Sequence, residues 1–105
     1  MALVQIGECV FDEQQHGLSH GFETLDSIAQ EAFVNHRHLA SDNATAEADR
    51  IIALWAAEMR ARWTDRVFRI YRQVEPAEVT NRFHQVRHGV PNWCELGVEV
   101  ITIPG

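Results

Sequence analysis

Residues 45–74, TAEADRIIALWAAEMRARWTDRVFRIYRQV, contain a change of period that decides how the chain divides. Ala48, Ile52, Trp55, Met59 and Trp63 recur in steps of three and four, and Ile51 and Ala56 widen the stripe. That spacing predicts an amphipathic helix over about Thr45–Trp63, with the alanines raising its helical propensity. Thr64-Asp65 should end it. From Arg66 to Val74 the pattern alternates instead, with Phe68, Ile70 and Val74 on one face and Val67, Arg69, Tyr71 and Gln73 on the other. Alternation of β-branched and aromatic residues predicts a strand, and continuation of the helix through Arg72 is the alternative.

Outward from this stretch, Ala40–Ala44 is a short polar connection whose serine, aspartate and asparagine can each cap the helix that follows. Before it, Thr24–Leu39 carries Leu25, Ile28, Ala29, Ala32, His36 and Leu39 at helical spacing, which predicts a second helix packed antiparallel to the first. In that helix His36 points toward the core and His38 away. Ala2–Phe11 reads as a strand, or as a hairpin turning at Gly7-Glu8, and Asp12–Gly21 as a loop. After the central stretch, Glu75-Pro76 reads as the start of a third helix that Gly89 and Pro91 stop, with Val79, Phe83 and Val86 as its buried stripe. The last element, about Glu95–Ile103, is a strand apolar on both faces except at Glu99.

The expected fold is therefore α+β, a single domain over residues 1–105 with three helices and a small three- or four-stranded sheet, in the order β-α-α-β-α-β. Its last strand, helix and strand could form a right-handed parallel βαβ unit.

A chain of 105 residues with 46% hydrophobic and 23% charged residues has the composition of one globular domain. No apolar run approaches the roughly 20 residues of a membrane-spanning helix. Met1–Glu8 lacks the basic start and long apolar segment of a signal peptide. Cys9 and Cys94 have neither CxxC nor zinc-ribbon spacing, so two reduced thiols in the cytoplasm are expected. The net charge of −6 hides an uneven distribution: residues 1–49 hold nine acids and only Arg37, whereas residues 50–87 hold eight arginines and four acids. All nine basic residues other than histidine are arginine. Without lysine there is no Schiff-base catalysis and no P-loop lysine on a phosphate.

Formal motifs carry little. Gly17-Leu-Ser-His-Gly21 matches GxSxG, but neither a strand leading in nor a large sheet accompanies it. His84 and His88 have the i,i+4 spacing that sets two imidazoles on one helical face, making them weak candidates for a metal, although Gln85 stands where HExxH has glutamate and no third ligand is assignable. No cofactor is expected.

The arginine-aromatic run is the more informative cluster. Trp63, Arg66, Arg69, Tyr71 and Arg72 combine forked cations with stacking surfaces, and His36 could join them in a pocket. The alternative is that these arginines pair with the chain's own acids. The expected function is a small binding or protein-interaction domain rather than an enzyme. It would act as a homodimer, because an apolar terminal strand and three tryptophans exceed what so small a core covers. The second reading is a small-molecule-binding protein or minor enzyme, taking an anionic or aromatic ligand in a Trp/Met pocket. Single-stranded nucleic acid ranks third, since a pI near 5.4 and an acidic first half repel a polyanion.

Overall fold

A computed structural model describes residues 3–16, 30–31, 34–40, 42–87, 89 and 98–104. Strands β1 (Leu3–Ile6) and β2 (Cys9–Asp12) lead through a single helical turn at Glu13–His16 toward β3 (His36–Leu39). Helix α1 (Ala44–Arg62), β4 (Phe68–Val74), β5 (Val79–Gln85) and β6 (Glu99–Ile103) follow. The first two strands form a separate antiparallel ribbon, and the other four make an antiparallel sheet in the order β3-β5-β4-β6.

The class is α+β, but the expected three helices with one small sheet are replaced by one long helix among the described residues and two sheets of six strands in total. The expected third helix is strand β5. Val79 and Phe83 satisfy a helical step of four, yet they also satisfy a strand's step of two, and the structure follows the latter: Val79, Asn81, Phe83 and Gln85 line one side. Glu75-Pro76 lies in a turn instead of starting a helix, and the Glu75 N–H donates to the Glu78 carbonyl at 2.8 Å. Both β5 and β6 run antiparallel to β4, which removes the parallel βαβ unit.

The expected helix over Thr24–Leu39 is also cut short. Residues 30, 31 and 34 are helical and the Asn35 N–H donates to the Glu31 carbonyl at 2.7 Å, but His36–Leu39 pairs with β5 as a strand. The edge of β5 offers His36–Leu39 a ladder of backbone partners, and that tertiary pairing overrides the helical pattern. The first part of that expected helix, 24–29, lies outside the described residues, as do Gly17–Gly21, His88, Cys94 and Glu95.

At the start of the chain the hairpin is the form adopted. Ile6 faces Cys9, leaving Gly7-Glu8 as a two-residue loop, and Gly7 takes φ +61°. Glycine enters that region without steric penalty, and the turn twists with its strands.

The helix expected over Thr45–Trp63 is present. Ala44, Ala48, Ile51, Ile52, Trp55, Ala56 and Met59 are its buried residues. Ile51, Ile52, Trp55, Ala56 and Met59 pack with Phe68, Ile70, Phe83 and Ile103 of the sheet and Leu3 and Val10 of the ribbon, while Ala44 and Ala48 pack with Val79 and Leu39. The Trp55 ring meets Phe83 edge-on at 4.7 Å between centroids. Each such large side chain contributes about 1.5–3 kcal/mol through burial. The helix stops at Trp63, whose N–H still reaches the Met59 carbonyl at 3.1 Å, and Thr64-Asp65 turns the chain into β4. Among the described residues no helix is long and apolar enough to cross a membrane.

Candidate functional site

Strand alternation in the four-stranded sheet sorts the side chains into two populations. Phe68, Ile70 and Arg72 of β4 share the helix side with Asn81, Phe83 and Gln85 of β5, as the core cluster and the bond from Asn81 Nδ2 to the Ala48 carbonyl (3.0 Å) show. The opposite side receives Arg69, Tyr71 and Gln73 from β4, Thr80, Arg82 and His84 from β5, and His36 and His38 from β3.

On the helix side, polar groups clasp the ribbon to the sheet. Glu31, fully buried, accepts four hydrogen bonds: from the Val10 N–H (2.7 Å), the Gln85 N–H (2.9 Å), Gln85 Nε2 (2.6 Å) and Arg87 Nη1 (2.6 Å). Asn35 substitutes for a missing strand neighbour of β2, donating through Nδ2 to the Val10 carbonyl (2.8 Å) and accepting the Asp12 N–H on Oδ1 (2.7 Å). Asp12 in turn accepts from Arg37 Nε (2.7 Å) and from the Trp55 indole N–H (3.2 Å). Buried carboxylates are tolerated only when compensated in this way. Cys9 lies beside this clasp, and burial together with the Glu31 carboxylate pushes its thiol up, the reverse of what a nucleophilic cysteine needs.

Three of the candidates read from the sequence belong to the helix side or its rim. Trp63 is buried in the core, and its indole N–H donates to Gln5 Oε1 at 2.9 Å. Arg66 donates to Gln85 Oε1 at 3.1 Å. Arg72 pairs with Asp49 of α1 and, at 3.2 Å, with Glu99 of β6. The Trp55 and Met59 stripe, a possible ligand pocket in sequence terms, is filled by the sheet: both residues are 1% exposed.

The other three, Arg69, Tyr71 and His36, come together on the far side of the sheet. In register, His36 stands beside Arg82 and Arg82 beside Tyr71, while Arg69 stands beside His84 in the next row. The Arg69 guanidinium lies over the Tyr71 ring at 5.6 Å. His36 and His38 meet edge to face at 5.0 Å, and His38 reaches Glu78 at the rim at 3.3 Å. At the centre, the Tyr71 hydroxyl and His84 Nε2 are 2.7 Å apart, and His84 Nδ1 is 2.8 Å from the Gln85 carbonyl. A carbonyl only accepts, so Nδ1 carries the proton and the Tyr71 O–H donates to Nε2. Both His84 nitrogens are thereby engaged, and His84 lies in a strand where the sequence predicted a helix, while His88 is outside the described residues. Among the described residues no group of three or more histidines, cysteines and acids is placed to hold a metal.

Burial, more than any neighbouring charge, holds His84 below the ordinary imidazole value of 6.5. In the unfolded chain it takes up a proton as pH falls through that value, whereas the folded chain resists, so the sign is a loss of stability below about pH 6.5. His84→Gln is expected to flatten the acid limb of a urea-stability profile by at most about 1.4 kcal/mol per pH unit. Parallel profiles for the two chains between neutral pH and the onset of carboxylate titration would refute it.

Arg82 and His38 were not singled out in the sequence, because within a helix they lacked the neighbours that the strand register gives them. Glu31 and Asp12 were missed for another reason: no local pattern marks an acid as buried, and only a long-range fold reveals the donors converging on them. No protein-family model, no curated protein and no solved structure matches this chain.

Proposed function

We propose that this chain is a binding domain whose ligand-facing surface is the sheet side turned away from α1, and that it takes a small anion of the carboxylate or phosphate class. The observation that supports the reading is the placement of Arg69, Arg82 and His36 around the buried Tyr71–His84 pair on three adjacent strands. Adjacent strands lie about 4.8 Å apart, so two guanidinium groups and the His36 imidazole stand within the span of a small ligand. Among the described residues no aspartate or glutamate occupies a strand position on that side. Tyr71, at 1% exposure and hydrogen-bonded to His84, offers no open ring for stacking a base. That favours a compact anion over a nucleic-acid strand. The cytoplasm is the proposed compartment, on the spacing of Cys9 and Cys94.

Calorimetric titration with inorganic phosphate and with citrate tests the reading. Saturable binding in the millimolar range or tighter is expected for one of them, weakened about tenfold or more by Arg82→Ala, the loss of one charge-assisted hydrogen bond. Absence of saturable heat with both anions, in a chain shown to be folded, would remove the proposal.

A further inference from the structure

We infer that the ligand of the far sheet face is a monocarboxylate with an apolar tail, the class of medium-chain fatty acids. Its carboxylate sits at Arg69, Arg82 and His36, and its tail runs toward Val67 and Val86. The inference rests on the anion-binding reading above and narrows it to one class of anion.

The register of the sheet sets the side chains of this face in successive rows. Tyr71, Arg82 and His36 form one row, and Arg69, His84 and Thr102 form the next. One step further the Val86 N–H donates to the Val67 carbonyl at 2.8 Å, which continues the ladder of β4 and β5 past Phe68 and Gln85. Phe68 and Gln85 face α1, so alternation turns Val67 and Val86 to the side that carries Arg69 and His84. Val67 is 36% exposed and Val86 38%. Pro104, which follows the Ile103 partner of Phe68, is exposed at the same end of the sheet. The other exposed large hydrophobic residues among those described, Ile6, Leu54 and Val74, stand on the ribbon, on α1 and at the opposite end of β4. Single residues of that kind are ordinary surface. Val67 and Val86 instead adjoin each other and border the row of Arg69.

The two ends of this track recognise different chemistry. Guanidinium groups present forked donors to a carboxylate. Phosphate or citrate gains nothing from a valine, whereas an alkyl chain removes valine surface, and its own, from water. The Arg69 guanidinium lies over the Tyr71 ring at 5.6 Å and so leans away from Val67, which leaves its methylene stem between the cationic row and the valines. Rows on one face are two residues apart, about 6.8 Å along the strand, so an anion held by Arg69 and Arg82 lies roughly 7–14 Å from the Val67 row. A chain of several methylenes spans that gap, and acetate does not.

Calorimetric titration of the full chain with octanoate and with acetate tests the inference. Octanoate is expected to bind at least about tenfold tighter than acetate, from the apolar surface its extra methylenes take out of water. Phosphate or citrate, whichever binds in the titrations above, is expected to displace it, because both anions use the same arginines. Val67→Ser and Val86→Ser are each expected to cut the preference for octanoate by about threefold or more, and Arg82→Ala to weaken octanoate by about tenfold. Circular dichroism checks that the variants fold. Octanoate no tighter than acetate, octanoate undisturbed by the competing anion, or a preference untouched by both serine variants would each overturn the inference, while saturable phosphate or citrate binding would leave the anion site standing. Absence of binding by all four anions would remove both.

Discussion

Glu31→Ala is expected to lower the unfolding free energy by about 3–5 kcal/mol, as breaking a buried ion pair from one side does. The carboxylate is fully buried and holds four donors from two distant parts of the chain. Removing it strands the Val10 and Gln85 N–H groups and leaves the Arg87 guanidinium, only 17% exposed, without its anion. Glu31→Gln preserves the shape but turns an NH₂ toward groups that themselves donate, so it too is expected to destabilise, by less. Urea denaturation of the three chains measures this. An alanine variant within about 0.5 kcal/mol of the parent, the range of ordinary surface substitutions, would show that the clasp does not hold the ribbon to the sheet.

Trp55→Ala is expected to be comparably severe, at about 3–5 kcal/mol for loss of a large core aromatic. Trp55 sits at 1% exposure between α1 and β5, its ring against Phe83 and its indole N–H on Asp12. Trp55→Phe separates the two contributions. It retains an aromatic ring for Phe83 and deprives the buried Asp12 carboxylate of one donor, with an expected loss of about 1–3 kcal/mol. Equal losses for both variants would mean that the hydrogen bond dominates and the ring contact contributes little. Against a total stability of about 5–15 kcal/mol, either alanine variant removes a large share of what holds this domain folded.

The contrast between these two residues describes what could be read beforehand. Trp55 was legible because it stands in a stripe of period 3.6 that has no competing period, and its burial follows from local pattern alone. Glu31 was not, since nothing near it in sequence indicates burial, and its donors come from 21 to 56 positions away. The candidate site divides in the same way. The Arg66–Val74 strand and its two faces were visible as alternation. That Arg69 and Tyr71 would gather His36, Arg82 and His84, while Arg72 would turn to Asp49, required the register of three strands.

By itself, then, the sequence determined an α+β domain built on the helix through Trp55, a helix stop at Thr64-Asp65 and a strand after it, because period and capping act over a few residues. Tertiary structure decided the rest. Val79–Gln85 and His36–Leu39 each satisfy a helical spacing as well as an extended one, and intrinsic preferences differ by too little to choose between them. The choice was made by hydrogen-bonded neighbours: β5 completes its ladder between β3 and β4, and in doing so converts one expected helix and the end of another into sheet.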